Sequence, residues 1–87
     1  MATVTIYTRE SCEFCTKAKE TLTNQGISYQ EKTLGVDFKT EDIRRDFPYQ
    51  KTYPIIVDEA GRLVGGYTEL LHELSAGNTL GKVQLNG

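Results

Sequence analysis

Thr3-Val4-Thr5-Ile6-Tyr7-Thr8-Arg9-Glu10-Ser11-Cys12-Glu13-Phe14-Cys15 begins as a run of β-branched and aromatic residues and ends in the chain's two cysteines. The first six residues read as a strand. Beyond them Cys15, Ala18 and Leu22 recur at helical spacing, with Lys17, Lys19 and Glu20 between. Ser11 is placed to cap that helix and Gly26 to end it, so the expected helix covers about residues 13–25. The cysteines therefore stand at a helix start, where unsatisfied N–H groups and the positive end of the macrodipole favour a thiolate. The thiolate is the nucleophile of disulfide exchange. Cys15, one helical turn beyond Cys12, is close enough to close a small, readily reduced ring. The placement predicts a redox site.

Working outward, residues 28–34 read as a second strand, which makes a βαβ unit with parallel strands and a right-handed crossover. Thr40 is expected to cap a short helix with Glu41 and Asp42 in its first turn, Arg44 and Arg45 near its end, and Pro48 stopping it. Residues 54–57 read as a third strand, and Glu59-Ala60-Gly61-Arg62 as a tight turn into a fourth, Leu63-Val64, broken by Gly65-Gly66. The last helix is expected from about Thr68 to Ala76, with Leu70, Leu71 and Leu74 on its buried side and Gly77 closing it. Residues 78–87 read as a short C-terminal tail or helix. The order β-α-β-α-β-β-α implies an α/β fold, a four-stranded mixed sheet in the order 2-1-3-4 with helices on both faces. Ligands in such sheets bind beyond the carboxyl ends of the parallel strands, where Cys12 falls.

A chain of 87 residues is expected to form one domain over 1–87 with one modest core. Apolar residues make up 38% and charged ones 25%, the balance of a compact globule. Ten basic residues against 12 acidic ones give a net charge of −2 without a basic cluster, which argues against nucleic acid as a partner. No apolar run approaches the roughly 20 residues of a membrane span, and the N-terminus carries no secretory pattern. Two closely spaced cysteines do not resemble a stapled secreted domain, so the expected compartment is the reducing cytoplasm. A Cys-x-x-Cys can also be half of a zinc site. A closed site takes four ligands, and the only other cysteine or histidine is His72, so a site of cysteines and histidines alone cannot be completed and no metal is expected. His72 itself reads as a helix-surface residue.

Three motifs in order now carry a resemblance over residues 3–77: Tyr7 to Cys15, then Thr52-Tyr53-Pro54, then Gly65-Gly66-Tyr67-Thr68-Glu69. With them the chain resembles a dithiol glutaredoxin of the thioredoxin fold. The resemblance implies a glutathione-dependent thiol–disulfide oxidoreductase that reduces protein disulfides and glutathione mixed disulfides. Cys12 would be the attacking thiol and Cys15 the buried resolving one. No permanently bound cofactor is implied, glutathione being the reducing cosubstrate, and the protein would work as a monomer. Relatives serve ribonucleotide reductase, glutathionylated proteins and other small reductive enzymes.

The same resemblance distributes the glutathione contacts. Thr52-Tyr53-Pro54 looks like the loop whose proline is cis, which leaves the Tyr53 backbone free to pair with the cysteinyl unit. Gly66, Tyr67, Thr68 and Glu69 look like the site for the γ-glutamyl end: glycine allows close approach, N–H groups hold a carboxylate, and Glu69 accepts from the ammonium. Arg9 and Lys51, with Gln50 as a weaker candidate, would meet the glycyl carboxylate. Glu13 and Phe14 depart from the Pro-Tyr common in this family. Glu13 sets a negative charge beside Cys12 while Arg9 works against it, and Phe14 keeps the ring but loses the hydroxyl. Two other readings follow from the same relatives: a redoxin reduced directly by thioredoxin reductase, and a glutathione-ligated [2Fe–2S] cluster carrier, which the missing proline after Cys12 favours.

Overall fold

The computed structural model describes residues 3–76. Seven elements follow in the expected order: β1 (Thr3–Thr8), α1 (Glu13–Asn24), β2 (Ser28–Thr33), α2 (Thr40–Asp46), β3 (Ile55–Val57), β4 (Leu63–Gly65) and α3 (Tyr67–Ser75). The strands form one sheet in the order β2-β1-β3-β4. β1 and β2 are parallel, with Thr3 opposite Ser28 and Thr8 opposite Thr33. β3 runs antiparallel to β1, with Ile6 opposite Ile56, and β4 antiparallel to β3 across an irregular register.

Alternation along the strands divides the apolar residues between the two faces. Val4, Ile6 and Ile56 pack with Ala18 and Leu22 of α1 and Leu70 of α3 on one face. On the other, Ile55 packs with Phe38 and with Ile43 of α2, and Tyr7 and Tyr53 close over them. The Tyr7 and Phe38 rings meet edge to face at 5.1 Å. The helices thus cover both faces, as the element order implied. This is the α/β fold read from the sequence.

Four local expectations are corrected. Ser11 does not cap α1. It takes a left-handed φ of 58°, and Cys12, in extended conformation, is the N-cap. Thr40 lies inside α2, whose N-cap is Lys39; the Lys39 N–H donates to Asp42 Oδ2 at 2.9 Å, so the acidic first turn supplies the cap. β2 ends at Thr33, and Leu34 bridges Phe38 instead. α3 starts one residue early, at Tyr67. Leu70 takes the fully buried stripe and Leu74 its edge, while Leu71, turned about 100° away on the helix, is 40% exposed. Gly77 and the 78–87 segment lie outside the described residues. No helix among the described residues is long and apolar enough to cross a membrane.

Candidate active site

Cys12 leaves the end of β1 and opens α1, so its sulfur meets the first free N–H groups of the helix. Cys12 Sγ accepts the Cys15 N–H at 3.1 Å. The two cysteines are joined by a disulfide, their Cα atoms 5.2 Å apart. Their surroundings differ. Cys12 is half-buried, whereas Cys15 is 2% exposed beneath the helix. A sulfur at Cys12 can meet an incoming disulfide; one at Cys15 can meet only Cys12 or a group already inside.

One groove runs from Cys12 to the start of α3. Its first part, about 360 Å³, is lined by Arg9, Cys12, Phe14, Lys51, Thr52 and Tyr53 among others. Its second, about 380 Å³, shares Phe14, Thr52 and Tyr53 and adds Pro54, Gly66, Tyr67, Thr68 and Glu69. Apart from Gln50, every residue singled out for ligand contact therefore lines this trough, although the three motifs are separate in the sequence. Cys15 lies behind it, bordering an adjoining cleft. The Gln50 side chain lies beside Gly66: a Cβ on Gly66 would lie 3.6 Å from its amide nitrogen and 3.5 Å from the Pro54 carbonyl.

The Tyr53–Pro54 peptide bond is cis. Burial holds the Tyr53 hydroxyl above its usual pKa against the opposing field of Arg9, so it stays protonated at neutral pH. Phe14, 53% exposed, stacks at a tilt on Tyr67 with centroids 5.7 Å apart, and the Lys17 ammonium lies 5.6 Å from the Phe14 centroid. Glu13 does not stand alone beside Cys12, because Lys17 lies 4.0 Å from its carboxylate one turn along. Glu69 has a use that its sequence position did not suggest. Its Oε1 accepts the Gly66 N–H at 2.8 Å, so the carboxylate caps α3 from within. Its side chain also lies over Gly65, where φ is +130° and an added Cβ would come within 2.7 Å of it. Only glycine fits that position.

Sequence reasoning missed a polar cluster in the cleft behind the cysteines. The Thr8 hydroxyl donates to Glu31 Oε2 at 2.7 Å, and Lys19 Nζ reaches the same carboxylate at 3.1 Å. These contacts hold the Glu31 carboxyl below its usual pKa, the Thr8 hydrogen bond being the largest cause. The available signal was Lys19 at i+4 from Cys15; Glu31 has none, because its place depends on strand pairing.

Residues 4–59 match the family model for glutaredoxin. A 31-residue stretch is 52% identical to Glutaredoxin 3 of Escherichia coli (strain K12), covering 36% of this chain and 37% of that relative, so the match spans little more than a third of the relative's length. Among solved structures, Glutaredoxin 1 from Francisella tularensis, complexed with cacodylate, superimposes with a TM-score of 0.71 at 23% identity, covering 87% of this chain and 95% of that one. A buckwheat glutaredoxin–glutathione complex gives 0.72 at 18% identity, covering 87% and 71%. At those identities the two structures establish the fold alone. With the family model matched over residues 4–59, most of the chain, and the cysteine pair at the start of α1, the chain belongs to the glutaredoxin family of thiol–disulfide oxidoreductases.

Proposed function

We propose that the protein is a dithiol glutaredoxin that reduces glutathione mixed disulfides and protein disulfides with electrons from glutathione. The observation that carries this reading is the continuity of the groove. It starts at the half-buried Cys12 and ends at the N-terminus of α3, with Arg9 and Lys51 near the first end and Gly66 to Glu69 at the other. Glutathione is a tripeptide with a carboxylate at each end and a sulfur between. A trough with cations beside a thiol and free helix N–H groups beyond it suits that charge pattern. That a relative was solved in complex with glutathione supports the same assignment.

In the first step the Cys12 thiolate attacks the glutathione sulfur of a mixed disulfide. The Cys12–glutathione bond forms, the substrate–glutathione bond breaks, and the substrate leaves as a thiolate that takes a proton from solvent. A second glutathione thiolate then attacks the glutathione sulfur on Cys12, releasing oxidised glutathione and the Cys12 thiolate. For a protein disulfide, Cys12 first forms a mixed disulfide with one substrate sulfur. Cys15 then attacks Cys12 Sγ, the Cys12–substrate bond breaks and the reduced protein leaves. Two glutathiones reopen the Cys12–Cys15 disulfide that has formed, leaving as oxidised glutathione. The Tyr53 backbone pairs with the cysteinyl unit, Arg9 and Lys51 meet the glycyl carboxylate, and the N–H groups of Tyr67 and Thr68 take the γ-glutamyl carboxylate. Glu69 receives the ammonium with the oxygen that its cap leaves over. This chemistry belongs with a cellular glutathione pool, and we assign the protein to the cytoplasm.

Two coupled assays of NADPH consumption with the oxidised protein test the reading. One contains glutathione with glutathione reductase, the other thioredoxin reductase alone. Rapid turnover only in the first is expected. Turnover only in the second would assign the protein to redoxins served by thioredoxin reductase and remove every glutathione contact named above.

A further inference from the structure

The cleft behind the cysteines has a volume of about 370 Å³ and borders both Cys12 and Cys15. It adjoins the glutathione groove at Arg9, Ser11, Cys12 and Glu13, but Thr8, Cys15, Thr16, Lys19 and Glu31 line the cleft and not the groove. The exchange proposed above makes no use of Thr8, Lys19 or Glu31. Yet Cys15 has an unmet need. Whenever the Cys12–Cys15 bond opens, Cys15 must carry the electron pair as a thiolate, and a sulfur that is 2% exposed has almost no water to stabilise it. Burial alone makes that step slow in both directions.

Lys19 stands where a cation would answer this. It follows Cys15 by four residues on α1, so the two side chains rise from the same face of the helix. Its side chain is 30% exposed, and Nζ lies 3.1 and 3.3 Å from the two Glu31 oxygens. Glu31 is held in turn by Thr8, which is 3% exposed and closes the floor of the cleft from the end of β1. Lys19 springs from the helix of Cys15, Glu31 from the edge strand. Of the other titratable groups near Cys15, Arg9 also lines the cleft and donates to the Glu10 carbonyl at 3.3 Å, Glu13 is matched by Lys17, and Tyr67 reaches α1 from α3 through Phe14.

We propose that Lys19 is the cation that carries Cys15 through its thiolate stage, with Glu31 and Thr8 as the positioning residues that hold its ammonium in the cleft. The proposal rests on the reading of this pair as an exchange site. When a thiolate attacks Cys12 of the oxidised protein, the new bond forms to Cys12 Sγ and the Cys12–Cys15 bond breaks. The electron pair passes to Cys15 Sγ, which borders the same cleft as the ammonium, and the proton arrives afterwards from solvent. In the reverse sense the same ammonium raises the thiolate fraction of Cys15 for its attack on a mixed disulfide at Cys12. Turnover that uses Cys12 alone does not involve Lys19.

The test compares Lys19→Met, which keeps the apolar stem, with Lys19→Arg, which keeps the charge; Lys19→Gln is a second neutral variant should Lys19→Met fail to fold. In a Cys12→Ser background, the rate of Cys15 alkylation by iodoacetamide is followed against pH. Its midpoint is expected to rise by about half a pH unit without the charge, a threefold change in thiolate, and to stay in place with arginine. Reduction of the oxidised protein by dithiothreitol should slow about threefold in the neutral variants and recover in Lys19→Arg. In a Cys15→Ser background, turnover of a glutathione mixed disulfide should be the same with or without Lys19. Unmoved midpoints, or an equal loss in the Cys15→Ser background, would overturn the proposal. A Cys15→Ser protein with no such turnover at all would instead count against the glutathione reading.

Discussion

Cys12 and Cys15 are the same residue type in unlike surroundings, and exposure separates their roles. Cys12 can reach a substrate and Cys15 cannot. Cys12→Ser is therefore expected to abolish all exchange. Cys15→Ser should keep turnover of glutathione mixed disulfides within a few-fold and lose reduction of a protein disulfide, as measured with a glutathionylated peptide and a disulfide protein in parallel. Equal loss in both variants would contradict the division. Thr8 and Glu31 give a second prediction at this scale. The Glu31 carboxyl sits below its ordinary value of 4.5, chiefly through the Thr8 hydrogen bond and then Lys19, against the partial burial that raises it. A lowered folded pKa stabilises the fold in full above the unfolded value, and that contribution fades as pH falls through the folded one. Thr8→Val removes the donor, so its stability deficit should be largest at pH 7 and narrow toward pH 3 in urea unfolding. A deficit that does not change with pH would sever the link between the two residues.

At the scale of elements, the β3–β4 hairpin depends on one buried carboxylate. Asp58 is 7% exposed, and its Oδ1 accepts the Ala60 N–H at 3.0 Å and the Arg62 N–H at 2.8 Å. The Asp58 backbone N–H closes the same turn on the Arg62 carbonyl at 2.8 Å. Asp58→Ala leaves two N–H groups without their acceptor and is expected to cost about 1–3 kcal/mol, whereas Asp58→Asn, which keeps an oxygen there, should cost less. Urea unfolding of the two variants checks the order. The turn itself was legible in Glu59-Ala60-Gly61-Arg62 because Gly61 supplies a φ of +88°. The residue that anchors it was not, because an Asx acceptor is recognised by where its oxygen points. The helix starts tell the same story. The spacing of Cys15, Ala18 and Leu22 predicted α1, but the cap moved from Ser11 to Cys12 on a single backbone angle.

Across the whole molecule, two small cores share one sheet. Adjacent residues serve opposite faces: Ile56 packs with Val4, Ile6, Ala18, Leu22 and Leu70, and Ile55 with Phe38 and Ile43. With so little core on each side, one cavity weighs heavily. Ile56→Ala is expected to remove about 2–5 kcal/mol of a total that for such a domain is about 5–15 kcal/mol. The midpoint of urea unfolding measures it; a loss under 1 kcal/mol would mean that α1 and α3 close over the gap.

Local periodicity and turn chemistry are written along the chain, so the seven elements, the 2-1-3-4 sheet and the two-faced helix arrangement are legible in the sequence alone. The three motifs were legible through their resemblance to those of glutaredoxins, each being contiguous. That they line one groove follows from the parallel β1–β2 crossover and the β1–β3 pairing, which bring the ends of distant segments together. The Thr8–Glu31–Lys19 cluster was decided by packing alone. Residues 8 and 31 are 23 positions apart, and nothing in either segment states which partner the strand register will supply. Alternation tells a side chain which face it occupies, and only pairing in three dimensions tells it what it will meet there.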